Sequence, residues 1–337
     1  MEQKKINRLV SGLCALLMFM TFAVGCGAGQ TSGASHEVNV TDEAPDGAGE
    51  TVIEEEETPL ALTNPVLDGI LQPVAGGTVT YGNDQTTIDA SNVAQGYVMV
   101  KYAPGETQRI KVQVAGPQGI TYTYNLAADG EYDVFPMSQG DGSYKITVFR
   151  NTTGTKYATI FSQNISVTLA DQLLPFLYPN QYVNFSDNSN AVAKAKELRA
   201  GSESELDTVS AVYNYVVQNI SYDYDFAANA PTGYLPDVDR TLATGKGICF
   251  DYAALMAAML RSQGIPTKLV IGYTSRGEYH AWISVHISQV GWVNNIISFD
   301  GTNWKLMDPT FASTGNSSQQ VMDYINNPSN YSEKYCY

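Results

Sequence analysis

The stretch that decides the fold is residues 241–274, TLATGKGICFDYAALMAAMLRSQGIPTKLVIGYT. From Cys249 to Gln263 it contains neither glycine nor proline and is apolar at most positions, which predicts a central, buried helix. Gly264 and Pro266 then predict the end of this helix, because a C′ glycine followed by proline is a common stop signal. Cys249 is therefore expected at the helix N-terminus, where unpaired N–H groups and the helix dipole stabilise a thiolate. A small apolar core residue is the alternative for such a cysteine.

Two of the three histidines lie on one predicted strand, GEYHAWISVHI at residues 277–287. Strand alternation places His280 and His286 on the same face. His280 is the better candidate for a catalytic base, because it begins the strand beside a glycine-containing turn where a cleft can open. His286 lies about 20 Å further along, at about 3.3 Å per residue.

A third polar residue follows in NNIISFDGTNWKLMDPTF at residues 294–311. This segment predicts a hairpin through Asp300 and Gly301, with Asp308 at the end of its second strand, before Pro309. A partly buried aspartate needs a hydrogen-bond donor, and His280 on a neighbouring strand could supply it. A turn cap and a solvated acid at the strand end are the alternatives for Asp308.

These three segments, together with NISYDYD at residues 219–225, resemble the transglutaminase-like superfamily over about residues 190–311. The resemblance implies Cys249 as nucleophile, His280 as general acid and base, and Asp308 as the residue that orients His280. It also implies that Tyr222 aids an oxyanion hole. The chain is then α+β at residues 190–337, a papain-like and transglutaminase-like cysteine domain with helices packed on an antiparallel sheet.

The implied activity is acyl transfer at amide bonds, as a peptidase or amidase or as a protein cross-linking enzyme. This chemistry needs no metal or other cofactor, and no metal-ligand spacing is visible in the sequence. The alternative is a non-catalytic binding or scaffolding module of the cell envelope, a role that some domains of this superfamily have.

Residues 76–170 contain a series of short strand-like segments separated by turn signals such as Pro-Gly, Gly-Pro and Ala-Asp-Gly. About six to eight strands at this spacing predict an antiparallel, immunoglobulin-like β-sandwich. The region has neither histidine nor cysteine, and we interpret it as a spacer or docking domain. Residues 171–189 are a predicted connector, after which Ser202 and Glu205 predict the capping box of a helix.

The first 25 residues resemble a bacterial lipoprotein signal peptide, with basic residues, an apolar run and the sequence AVGC at residues 23–26. Cys26 is therefore expected to be lipidated, and a plain signal peptide is the alternative. Residues 27–60 are mostly small, polar or acidic, which predicts a disordered tether that we place at residues 26–75. We expect the protein at the extracellular face of the cell membrane, anchored by lipid.

Charge and cysteine content limit the partners and crosslinks that we expect. A net charge of −15 argues against a nucleic-acid partner, so the expected partners are protein or peptide substrates at the cell surface and the membrane that holds the lipid. Apart from Cys14 and Cys26, the thiols are Cys249 and Cys336. Two thiols do not make a disulfide framework, although one bond between them stays open. The polar segment around Cys336 otherwise predicts an ordinary thiol.

Overall fold

A computed structural model of the chain describes residues 69–288, 290–293, 297–299, 304–306 and 327–337. Cys26 and Asp308 lie outside the described residues, as do the predicted signal peptide and most of the predicted tether. The last residues of that predicted tether are described, and Ile70 and Leu71 pack against buried side chains. In these ranges no helix is long and apolar enough to cross a membrane.

The first part of the described chain is a β-region of eight strands. The strands are β1 (Thr80–Gly82), β2 (Thr86–Asp89), β3 (Tyr97–Tyr102), β4 (Ile110–Ala115), β5 (Thr121–Leu126), β6 (Asp133–Pro136), β7 (Gly142–Thr153) and β8 (Lys156–Val167). They form two four-stranded antiparallel sheets with the orders β1-β2-β3-β6 and β5-β4-β7-β8. The immunoglobulin-like assignment of this region stays a prediction.

The two sheets share one apolar core, because alternate residues of their strands point towards each other. On β4, Ile110 and Val112 are buried, whereas Lys111 between them is half-buried. Strand β3 is buried on both faces, since Tyr97 and Met99 pack against Tyr178. The segment after β8 therefore covers the outer face of the first sheet.

The second part of the chain combines helices with short strands. The helices are α1 (Asn190–Arg199), α2 (Glu205–Asn219), α3 (Tyr224–Asn229), α4 (Val238–Thr244) and α5 (Cys249–Arg261). The strands are β9 (Ser221–Tyr222), β10 (Lys246–Gly247), β11 (Thr267–Thr274), β12 (Tyr279–Ile287), β13 (Gly291–Val293), β14 (Ile297–Phe299), β15 (Trp304–Leu306) and β16 (Tyr331–Cys336). Single 3-10 turns occur at Val93–Gln95, Leu174–Phe176 and Pro328–Asn330. Helix α5 packs on an antiparallel sheet of order β13-β12-β11-β16, which confirms the predicted α+β domain.

Helix α5 is the centre of this domain. All residues from Asp251 to Arg261 are buried, as expected for a helix that is apolar on every face. Gly264 adopts a φ of +80° just beyond the helix, a conformation that glycine adopts without strain. The prediction of a central buried helix is confirmed, and the helix ends at Arg261, shortly before the predicted Gln263.

The N-terminus of α2 differs from the predicted capping box of Ser202 and Glu205. Ser204 is the N-cap, because its Oγ accepts the N–H of Asp207 at 3.1 Å and the Asp207 carboxylate accepts the N–H of Ser204 at 2.9 Å. Glu205 is buried and accepts hydrogen bonds from the N–H and Oγ of Ser288 at 2.7 and 2.9 Å. The predicted pair of Ser202 and Glu205 has the same spacing as the observed pair of Ser204 and Asp207. Because Glu205 is bound to Ser288, Asp207 is the acid that completes the capping box.

Candidate active site

Cys249 is the first residue of α5, so its predicted place at a helix N-terminus is confirmed. The chain reaches it through Gly245, whose φ of +61° ends α4. It then passes through β10, which runs parallel to β9 and places Gly247 opposite Tyr222. The Cys249 side chain is half-buried, and both it and Cys336 are free thiols, so the disulfide left open by the sequence is not formed between them.

His280 lies near the beginning of β12, and its side chain is 3% exposed. It pairs with Gly272 of β11, and its ring stacks on Trp282 with centroids 6.2 Å apart. A Cβ at position 272 would lie 2.7 Å from the Trp282 ring and 2.0 Å from the carbonyl oxygen of Ser332. Glycine at this position therefore permits the close packing that surrounds the strand of His280.

The two histidines of β12 lie towards opposite ends of α5. His286 donates its backbone N–H to the carbonyl of Pro266 at 2.8 Å, just after the end of α5. Six residues of strand separate His286 from His280, or about 20 Å at 3.3 Å per residue. That distance is roughly the length of the 13-residue helix α5 at 1.5 Å per residue. His280 is thus the histidine at the Cys249 end of the helix.

Tyr279 is a residue of β12 that lies near Cys249. Its pKa is raised mainly by burial, and further by three neighbouring tyrosines and by Cys249. An electrostatic effect of this kind requires the phenol and the thiol to be near each other. The residue preceding His280 is therefore a neighbour of Cys249, which the sequence analysis did not foresee.

His286 belongs to a different cluster. Its ring lies 5.4 Å from that of Trp292, over which the Lys268 ammonium sits at 3.9 Å. Burial lowers the pKa of His286, Glu205 and Asp171 oppose that shift, and Lys268 adds to it. The groups that surround His286 are therefore all remote in sequence from Cys249.

A buried acid beside Cys249 was missed by the sequence analysis. Asp251, the third residue of α5, accepts the N–H of Ile248 at 2.9 Å and the hydroxyl of Tyr234 at 2.5 Å, and Arg240 lies 3.5 Å away. Burial raises the pKa of Asp251, against the hydrogen bonds from Tyr234 and Ile248 and the charge of Arg240. The signal was an acid three residues after the N-cap, a spacing typical of the capping box.

Tyr222 lies beside the loop that leads into Cys249, since it pairs with Gly247. Its ring centroid is 5.0 Å from that of Tyr224 and 6.5 Å from that of Tyr252. The oxyanion-hole role of Tyr222 stays a prediction.

The structure leaves two other questions at this site as predictions. Asp308 lies outside the described residues, so its contact with His280 is untested. Among the described residues no group of three or more histidine, cysteine, aspartate or glutamate side chains could hold a metal ion.

Residues 192–295 match the family model of the transglutaminase-like superfamily. This segment includes Cys249 and His280 and ends before Asp308. The uncharacterized protein YebA of Bacillus subtilis is 28% identical over 140 residues, which cover 35% of this chain and 19% of YebA. The chain thus spans about a fifth of the length of this curated relative.

Three solved structures share a more distant likeness. A candidate cysteine protease from Cytophaga hutchinsonii is 15% identical, with 77% of this chain and 78% of that chain covered and a TM-score of 0.36. A TGase is 23% identical, with coverages of 41% and 36% and a TM-score of 0.30. Red sea bream transglutaminase is 13% identical, with coverages of 64% and 48% and a TM-score of 0.27.

Proposed function

We propose that the transglutaminase-like domain at residues 192–295 makes this protein a cysteine-dependent enzyme that transfers acyl groups at amide bonds. The single observation that carries this proposal is the half-buried, free thiol of Cys249 at the N-terminus of α5, beside the strand that bears His280. A helix N-terminus stabilises a thiolate, which is the nucleophilic form of cysteine.

In the first half of the reaction, His280 takes the proton of the Cys249 thiol, and the sulfur attacks the carbonyl carbon of an amide. The negative charge that develops on the carbonyl oxygen is stabilised by N–H groups at the start of α5. The C–N bond then breaks, the amine leaves with the proton held by His280, and a thioester on Cys249 remains. Asp308 orients the imidazole of His280 throughout.

In the second half, an incoming nucleophile resolves the thioester. His280 removes a proton from that nucleophile, the new bond forms at the carbonyl carbon, the C–S bond of the thioester breaks, and the departing Cys249 sulfur takes the proton back from His280. Water yields a carboxylate and makes the protein a peptidase or amidase. A lysine amine yields a new amide and makes it a cross-linking enzyme.

The location follows from the N-terminal sequence. A lipid on Cys26 would hold the protein at the outer face of the cell membrane, where surface proteins and wall peptides are the accessible amides. An immunoglobulin-like β-region would then stand between the tether and the enzyme domain.

An activity screen tests this function. The chain from residue 27 onward is incubated with glutamine-containing peptides, with and without a primary amine, and release of ammonia or of shorter peptides is measured. We expect turnover that Cys249→Ala and His280→Ala abolish and that Cys336→Ala leaves within about twofold, since Cys336 has no part in the chemistry. If the Cys249→Ala chain is as active as the unaltered chain, the proposed cysteine-dependent function is refuted and the binding-module alternative is favoured.

A further inference from the structure

The start of α5 contains a buried carboxylate that the mechanism above does not use. Asp251 is fully buried, and its two oxygens are shared among three donors. One oxygen accepts the backbone N–H of Ile248, the other accepts the hydroxyl of Tyr234, and Arg240 forms an ion pair with the latter at 3.5 Å. Arg240 also donates to the Tyr234 hydroxyl, which closes the network.

The first bond of this network holds the peptide directly before the nucleophile. Ile248 is the N-cap of α5 and Cys249 is its first residue, so the bond from Ile248 N–H to Asp251 fixes the entry of the chain into the helix. Gly247 lies against the same side chain, because a Cβ there would be 2.6 Å from the Cβ of Asp251. The loop and the carboxylate are therefore packed tightly together.

The same carboxylate also has an electrostatic consequence. The N-terminus of α5 is the positive end of the helix dipole, and the field there stabilises a thiolate at Cys249. A second anion in the first turn weakens that field. Asp223 adds negative charge near Asp251, and Asp237 does so near Tyr234. An unpaired Asp251 would thus oppose ionisation of a thiol two residues away.

Arg240 is well placed to offset this charge. Its guanidinium lies 5.5 Å from the ring centroids of both Phe226 and Tyr234, and those two rings contact each other at 4.8 Å. The aromatic pair holds the cation against Asp251, although the Arg240 side chain is 43% exposed. Although it is partly exposed, Arg240 is therefore held beside one buried acid, Asp251.

We propose that Tyr234 and Arg240 are positioning residues for Cys249: they bind and neutralise Asp251, so that the carboxylate orders the loop without suppressing the Cys249 thiolate. This inference rests on the proposed function, in which Cys249 is the nucleophile. It adds Tyr234 and Arg240, which lie between α3 and α5 in the chain, to the residues that position the Cys249 thiol.

The test follows the rate of iodoacetamide alkylation of Cys249 in the full chain from pH 5 to pH 9, read by peptide mass spectrometry. Arg240→Gln should lower the rate of alkylation at pH 6 by about tenfold relative to the unaltered chain. Arg240→Lys retains the charge and should stay within about threefold of the unaltered chain. The matched control is Arg109→Gln, an exposed arginine over the Tyr157 ring in the β-region, which should leave the profile unchanged.

The charge effect is isolated by repeating Arg240→Gln in an Asp251→Asn background. With the anion removed, loss of Arg240 should change the rate less than about twofold, because nothing is left to neutralise. Tyr234→Phe should shift the profile in the same direction as Arg240→Gln, since one donor to Asp251 is lost. Thermal melting of each variant establishes that it is folded.

The outcomes separate this inference from the proposed function. An unshifted profile for Arg240→Gln, or an equal loss in Arg240→Lys and Arg240→Gln, overturns the neutralising role while Cys249 remains the nucleophile. If Asp251→Asn does not fold, the comparison of Arg240→Lys with Arg240→Gln decides alone. If Cys249 of the unaltered chain resists alkylation below neutral pH, the proposed function and this inference fail together.

Discussion

At the scale of single residues, the two free thiols of the described chain have different surroundings. Cys336 lies on β16, where burial and then the charge of Glu333 raise its pKa to about 12, with Lys268 opposing. Its thiol also donates to the Glu333 carboxylate at 3.8 Å. The polar sequence around Cys336 predicted an ordinary thiol, and that prediction is wrong, because the thiol is half-buried on β16, which pairs with β11, and its pKa is raised. We therefore expect Cys336 to react slowly and to serve as an internal reference for Cys249.

The first prediction concerns the reactivity of Cys249 at pH 6. Iodoacetamide should modify Cys249 in the folded protein, because a thiolate at a helix N-terminus reacts where an ordinary thiol is less than about one per cent ionised. His280→Ala should reduce this rate at least about tenfold, since the imidazole no longer takes the thiol proton. Cys336 should remain unmodified up to pH 8.5, and peptide mass spectrometry reads both sites at once. A Cys249 that reacts only after unfolding would make it an inert core residue.

The second prediction concerns Asp308. Asp308→Asn should keep the fold and lower turnover by about 100-fold or more, because an amide in place of the carboxylate favours the wrong imidazole tautomer. Turnover is compared with that of Asp84→Asn, an exposed turn residue of the β-region that should have no effect. A normal rate in the Asp308 variant would remove this residue from the triad.

At the scale of elements, α5 is the part of the fold that the sequence predicted best. Its apolar run and its glycine stop are local signals, so both its existence and its end could be read directly. The contacts of Asp251 could not, because Tyr234 lies 17 residues earlier and reaches the helix through the tertiary fold. The prediction of the α2 capping box was wrong for the same reason, because Glu205 instead binds Ser288, which is 83 residues away in the sequence.

The third prediction concerns Arg261, the last residue of α5. Its buried guanidinium donates to the backbone oxygens of Thr267, Tyr178 and Tyr337 at 2.8, 2.8 and 2.7 Å, so it joins α5 to β11, to the connector and to the segment after β16. Arg261→Met fills a similar volume but leaves three buried oxygens without this donor. The free energy of unfolding should fall by at least about 3 kcal/mol.

Urea denaturation measures this loss, and a second arginine provides the comparison. Arg150 forms a partly exposed ion pair with Glu106 at 3.2 Å, so Arg150→Met should cost less than about 1 kcal/mol. Equal losses in the two variants would mean that the three hydrogen bonds of Arg261 contribute little.

At the scale of the whole molecule, an aromatic cluster joins the β-region to the cysteine domain. Tyr122 and Tyr124 on β5 contact Tyr337 with ring centroids 5.2 and 5.9 Å apart, and Tyr182 contacts Tyr337 at 4.4 Å. Tyr182 also lies 5.3 Å from Phe250, the residue that follows Cys249. One continuous apolar core runs through both parts. The β-region is thus packed against the candidate site, whereas the sequence suggested only a spacer or docking domain.

This contact could not be predicted from the sequence, although its tyrosines were visible there. Alternation on β5 indicates that Tyr122 and Tyr124 face inward, but it says nothing about which surface they meet. That surface is formed by the segment around Tyr337, far away in sequence, and pairing across such distances is decided by the assembled fold. Local periodicity accounts for the strands, and only the tertiary structure accounts for their partner.

The last prediction tests whether the two parts unfold together. All three tryptophans, Trp282, Trp292 and Trp304, lie in the cysteine domain, so tryptophan fluorescence reports on that domain alone. Ile146 is fully buried in the β-region, and Ile146→Ala should lower stability by about 2–5 kcal/mol through the cavity it leaves. Because the shared core couples the parts, the urea midpoint seen by fluorescence should fall as far as the midpoint seen by circular dichroism.

Thr123→Ala, an exposed change on β5, is the matched control. It should change the free energy of unfolding by no more than about 0.5 kcal/mol, whichever signal is followed. If Ile146→Ala lowers an early circular-dichroism transition while the fluorescence transition stays in place, the β-region folds as an independent unit. The aromatic cluster would then be a weak contact between two domains, because loss of the β-region core would leave the environment of Trp282 intact.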